Sequence, residues 1–274
     1  MKTIALFVLA TGFAFAADPD FDTYWRDGKA ELDGYRLTVS RYGQERAGQA
    51  VLIYVTEPFS ESKRVKADQP GPDTIDVFKL NIVRDFQTGL YDYNTMVSVF
   101  VRSADLTPVK ISFSSAEWCG HVYEELLFYP GKITGDYFSY FEGETGPQQL
   151  DRPAGGIVED ELLIALRGLR GAFGERKAVP FLPGVLFSRL AHKPLVWTTA
   201  DISCAGNVYT VKIADGRTGK FTVEEAYPHR ILRWELLPDV KAELTGTIRV
   251  PYWQLHRNGD EKYLKELGLK PTVE

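Results

Sequence analysis

Glu117, Cys119 and His121 fall at every second position of Ser114-Ser115-Ala116-Glu117-Trp118-Cys119-Gly120-His121. Side chains two apart share one face of a β-strand. On a strand the three would therefore project together, with Tyr123 next. A carboxylate, a thiol and an imidazole in one place are the parts of a metal site, or of a nucleophile with its base. On a helix, Glu117 and His121 would stay neighbours while Cys119 swung away. Distance weighs against the chemistry. Same-face neighbours on a flat strand lie about 7 Å apart, long for two ligands of one ion or for a thiol–imidazole hydrogen bond. A bulge or turn at Gly120 would have to close the gap. A buried cysteine otherwise behaves as a small apolar residue.

The remaining chemistry-bearing residues are scattered. Cys119 and Cys204 are the only cysteines. An oxidising compartment could pair them, and the alternative is two reduced thiols on unrelated strands. Trp118-Cys119-Gly120-His121 resembles the thiol–disulfide oxidoreductase motif, but Val122 stands where the second cysteine belongs and no βαβ pattern surrounds it. His192, His229 and His256 read as surface or structural residues. The chain has no Gly-x-Ser-x-Gly elbow, no His-Glu-x-x-His, no phosphate-binding loop and no dinucleotide fingerprint. Aspartates do not recur at calcium-loop spacing. No cofactor or resident metal is implied.

The elements that would position these residues begin behind an export signal. Met1-Lys2-Thr3 carries one positive charge, Ile4 to Phe15 is almost wholly apolar, and Ala14-Phe15-Ala16 precedes Asp18. That is the pattern of a secretory signal peptide over residues 1–16. The apolar run is shorter than the roughly 20 residues that span a bilayer. Residues 17–274 then form the mature protein, expected in the periplasm or outside the cell. No later apolar run reaches membrane length. The formal charge of −5 argues against nucleic acid as a partner.

Most of 17–274 alternates with period two. Runs at Tyr35–Ser40, Val51–Thr56, Val77–Ile82, Thr95–Val101, Val109–Phe113, Val122–Phe128 and Lys132–Phe141 are β-branched or aromatic and are punctuated by Gly, Pro and Asp. Glu57 to Asp73 reads as a long polar loop, either a solvated hairpin tip or a mobile lid. Glu144 to Gly156, with Gly146-Pro147, Pro153 and Gly155-Gly156, reads as a break. Leu162, Leu163, Leu166 and Leu169 then fall at helical spacing behind Glu159-Asp160-Glu161, which predicts a helix over 158–169. A Gly- and Pro-punctuated stretch runs on through Pro183-Gly184. Strands resume near Leu195 and continue through Val208–Ile213, Phe221–Val223, Ile231–Leu236 and Ala242–Val250. A short helix ends the chain before Gly268.

Without a βαβ rhythm, a parallel sheet is not expected. The fold class is mainly β: a large curved antiparallel sheet or open barrel with one or two short helices. Residues 17–274 form a single β-rich domain, or two β subdomains divided near 144–157.

Several segments carry a resemblance. Tyr24 to Glu31, Arg41-Tyr42-Gly43, Val55 to Phe59, Lys79-Leu80-Asn81, Thr88 to Tyr93 and Glu117 to His121 look like a group of exported bacterial proteins of unknown function. Some of these carry the label "septum formation inhibitor Maf". The resemblance covers about residues 22–128 and implies no established activity. True Maf proteins are cytosolic nucleotide pyrophosphatases with an α/β fold, so none of their residues transfers to this chain. The architecture also resembles periplasmic carriers such as the lipoprotein chaperones, whose curved sheet holds an acyl chain. Two functional readings follow. One is a non-enzymatic binder of an apolar ligand, a lipid or another envelope component. The other is a thiol- or metal-dependent enzyme centred on Glu117, Cys119 and His121.

Overall fold

The computed structural model describes residues 19–271, so the export signal at 1–16 lies outside the described residues. After helix α1 (Pro19–Trp25), strands β1 (Ala30–Arg41), β2 (Gln44–Ser60), β3 (Val65–Lys66), β4 (Thr74–Thr88) and β5 (Tyr91–Arg102) follow one another. Next come β6 (Pro108–Glu117), β7 (Gly120–Tyr129), β8 (Lys132–Ser139) and β9 (Gly146–Asp151). The second half holds β10 (Ile157–Val158), α2 (Leu162–Ala165), β11 (Arg176–Leu182), α3 (Val185–Ala191) and β12 (Thr198–Ala205). It ends with β13 (Val208–Ile213), β14 (Thr218–Val223), β15 (Ile231–Leu237), β16 (Val240–Val250) and α4 (Lys262–Glu266).

All sixteen strands join one sheet, in the order β10-β11-β12-β13-β14-β15-β16-β1-β2-β4-β5-β6-β7-β8-β9, with β3 hydrogen-bonded to β2. Neighbours are antiparallel except β10 and β11. The first and last long strands close on each other: β1 pairs β16 from Ala30↔Val250 to Val39↔Val240, with a bulge at Gly34/Tyr35. Strands on both sides of 144–157 therefore belong to the same sheet.

The sheet curls because its two edges are sequence neighbours. Edge strands β9 and β10 are separated only by residues 152–156. Laid flat at about 4.8 Å per neighbour, the ordered strands would span roughly 65 Å. The short link reaches about 20 Å. The ribbon must bend through most of a turn to bring its edges that close, yet they do not pair. The result is an open barrel.

Alternation fixes which residues face inward. Leu80, Ile82 and Phe86 on β4, Val97 and Val99 on β5, and Val122, Leu126 and Phe128 on β7 are all buried in one continuous core. The stretch after β10 fills the concave side. Leu162, Leu163, Ile164, Leu166 and Leu169 join that core, and the Tyr54 hydroxyl donates to the Leu163 carbonyl at 3.1 Å. On the outside, α4 and Leu269 cover Leu32 and Val55 in a separate small cluster.

Several elements differ from the sequence expectations. The segment read as a break contains β9, whose residues alternate between half-buried and exposed. The helix expected over 158–169 shrinks to a 3₁₀ turn at Glu159–Glu161 and the four residues of α2. Its leucines are buried on every side, so no polar face sustains a longer helix. β2 reaches Ser60 and β3 follows, so the long polar loop is in part a hairpin. The Gly- and Pro-punctuated stretch holds β11 and α3.

Candidate functional site

Glu117, Cys119 and His121 do not converge. Glu117 ends β6, Trp118-Cys119 form the turn, and His121 stands on β7. Across the ladder Glu117 pairs with Gly120, and His121 with Ala116. Directly opposed residues share a face, so the hairpin puts Glu117 and His121 on opposite faces. The expectation of one strand carrying all three fails because the chain reverses at Trp118-Cys119. Cys119 and His121 are exposed, while the Glu117 side chain is buried against Arg189 of α3 in an ion pair. The Tyr93 hydroxyl also bonds Glu117. Cys119 and Cys204 are both free thiols, with no disulfide between them. Among the described residues, no group of three or more His, Cys, Asp or Glu side chains is placed to hold a metal ion.

What Glu117 does hold is α3, and α3 roofs a cavity. This seven-residue helix starts immediately after Pro183-Gly184. Its first N–H groups are met by acidic side chains from the turn after β10: Asp160 Oδ2 accepts from Val185 N–H at 3.0 Å, and the Glu159 carboxylate accepts from Gly184 N–H. Gly184 lets the two carboxylates come close. A Cβ there would lie 3.0 Å from Glu159 Oε1 and 3.1 Å from Asp160 Oδ1. At the other end, Arg41 Nη1 of β1 donates to the Leu190 carbonyl at 2.7 Å. With Glu117 on Arg189, four polar anchors thus suspend α3 over the concave face of the sheet.

Between α3 and the sheet lies a partly enclosed cavity of about 140 Å³. Its wall is mainly apolar, including Val39, Ile82, Leu163, Leu186, Phe221 and Trp234, and Arg41, Tyr42 and Asp239 also line it. Arg84, Glu159 and Asp160 supply charge. Burial raises the Glu159 carboxyl to about 7, with Arg217 beside it opposing the rise. Burial likewise raises Asp160 to about 6, against the Val185 N–H and Arg84. Arg217 Nη1 lies 2.8 Å from Glu159 Oε2, and its guanidinium stacks on the Phe187 ring.

Atoms of Arg217, Glu159 and Asp239 also lack hydrogen-bond partners, but Arg217 is ion-paired, whereas Arg84 forms no ion pair among the described residues. It is 6% exposed, and its Nε and Nη1 have no hydrogen-bond partner among the described residues. Burial lowers its guanidinium to about 10; Asp160 and Glu159 offset this only partly. It still carries its charge at neutral pH.

Two other interior clusters contrast with it. Arg167, behind α2, is wholly buried and paired with Glu31 of β1 at 2.7 Å. It also donates to the Pro228 carbonyl and lies over the Tyr54 ring. That cluster ties the inserted segment to the barrel. A second cavity, of about 300 Å³, is lined by Glu124, Tyr137, Glu144, Gln148 and His192 among others. There His192 Nδ1 sits 2.5 Å from Glu144 Oε1, and Gln148 donates to Glu124 Oε1 at 2.8 Å.

Sequence reasoning missed Arg84, Glu124 and Arg167. A signal for the first two exists. Arg84 interrupts Leu80, Ile82 and Phe86, and Glu124 interrupts Val122 and Leu126, each at an inward position of its strand. Compared with protein-family models, curated proteins and solved structures, the chain matches none.

Proposed function

We propose that this chain is an exported, non-catalytic binding protein for a small molecule whose apolar body lies in the cavity beneath α3. The observation that carries the reading is a partly enclosed, mainly apolar space between α3 and the concave face of the sheet. Protein cores pack without voids large enough for a ligand, and an apolar cavity of about 150 Å³ accepts a benzene-sized guest. The cavity here is of that order. The expected lipid or envelope component is thereby narrowed to one ring or a chain of about six carbons, since the segment after β10 occupies the room that a full acyl chain would need. The export pattern of residues 1–16 supports a site of action outside the cytoplasm. The enzymatic reading at Glu117, Cys119 and His121 gains no support from their placement.

The test is calorimetric titration of the mature protein with 1-hexanol. Saturable binding is expected at millimolar concentration or tighter. Leu186→Trp, which puts an indole into the cavity wall, should abolish it while circular dichroism stays unchanged. Absence of binding by the wild type, or equal binding by both proteins, would overturn the proposal.

A further inference from the structure

We infer that the ligand of the cavity beneath α3 carries a carboxylate, and that Arg84 clasps it; this inference rests on the binding function proposed above. The inward residues that flank Arg84 on β4, Ile82 and Phe86, are apolar, so an aliphatic side chain would fit the position without an electrostatic cost. Burying a guanidinium without a partner carries a large desolvation cost. Among the described residues, no carboxylate forms an ion pair with Arg84. Asp160 Oδ2 is engaged by Val185 N–H, and Glu159 is engaged by Gly184 N–H and Arg217. Neither makes an ion pair with Arg84. Arg84 itself lines the cavity, beside the space that the ligand's apolar body would fill, and its Nε and Nη1 lie without partners just behind that wall.

The geometry of the guanidinium selects the head group. Its planar fork matches the two oxygens of a carboxylate, which it binds bidentately. A single guanidinium balances a single negative charge. A phosphate dianion would leave excess charge facing Glu159 and Asp160. Those two acids have proton affinities raised by burial, so a monoanion at Arg84 meets neighbours that are readily neutralised at mildly acidic pH. The ligand class is therefore a small monocarboxylate with an apolar ring or a short chain.

The experiment compares hexanoate with 1-hexanol, probes of equal chain length, by calorimetry at pH 7 on the wild type, Arg84→Met and Arg84→Lys. The wild type should favour hexanoate by about tenfold or more, the usual scale of a charge-assisted hydrogen bond. Arg84→Met should lose that preference and still bind hexanol, and Arg84→Lys should retain part of it. If hexanol binds the wild type with no preference for hexanoate, the carboxylate is refuted and the cavity reading stands. If neither probe binds, both fall. If Arg84→Met keeps the preference, Arg84 is a structural residue and the head group is held elsewhere.

Discussion

Arg167 and Arg84 bring the same guanidinium into the same interior and meet opposite surroundings. Arg167 has Glu31, a backbone carbonyl and two aromatic faces around it. Arg84 has an apolar cavity and two acids committed to other donors. A paired buried charge is a structural tie; on the proposed reading, an unpaired one in a cavity wall finds its counter-charge in a ligand. Glu124 belongs to the same class of inward charges. Gln148 satisfies one of its oxygens, the other has no partner, and burial raises its carboxyl to about 7 from an ordinary 4.5. The folded chain therefore holds this proton over a window where the unfolded chain has released it. Its contribution is fully present below about pH 4.5 and is lost as pH rises through about 7. Glu124→Gln cannot titrate. The stability of this variant relative to the wild type should rise by about 3 kcal/mol between pH 4.5 and 8, read from urea unfolding. A difference that does not change with pH would contradict the assignment. The type and rhythm of these residues were readable: a charge at an inward strand position is visible in the sequence. Their partners were not, because Arg167 finds Glu31 136 residues away and no local pattern encodes that meeting.

At the scale of elements, the strands were legible wherever one face is buried, because burial imposes the two-residue rhythm. β9 was not. As an edge strand with no fully buried residue, it lacks the apolar alternation that marks a strand. α3 escaped for a different reason. It is short, it follows directly on Pro183-Gly184, and side chains from distant elements fix it in place. Glu117 drew attention as a catalytic candidate and proves to be one of those anchors. The glycines of β1 and β16 show a further element-level constraint. Gly34 and Gly246 face each other across the ladder, and the C-terminal segment lies against both. A Cβ at Gly34 would come 2.2 Å from the Leu267 carbonyl oxygen, and one at Gly246 would come 2.1 Å from that of Glu266. Both contacts are with backbone, so no side chain can swing aside. Gly34→Ala should cost about 1–3 kcal/mol and speed amide exchange across residues 262–269. Unchanged exchange there would show that the segment does not depend on this close approach.

For the whole molecule, the decisive feature is a sheet whose edges are joined by a short link and whose concave side is filled by its own chain. Curvature was legible in outline, since a long run of antiparallel strands must twist and curl. The filling was not, because the inserted segment reads as a helix by its leucine spacing and gives no sign that it enters the barrel. On the proposed reading, filling sets the size of the ligand. It leaves a scaffold that could have enclosed a lipid chain with a small apolar chamber beneath α3, with Arg84 in its wall. The most direct measurement is a set of intermolecular nuclear Overhauser effects between hexanoate and the mature protein. The account predicts contacts from the hexanoate methyl and methylene protons to the rings of Phe221 and Trp234. Contacts confined to other residues, or none at saturating hexanoate, would contradict it.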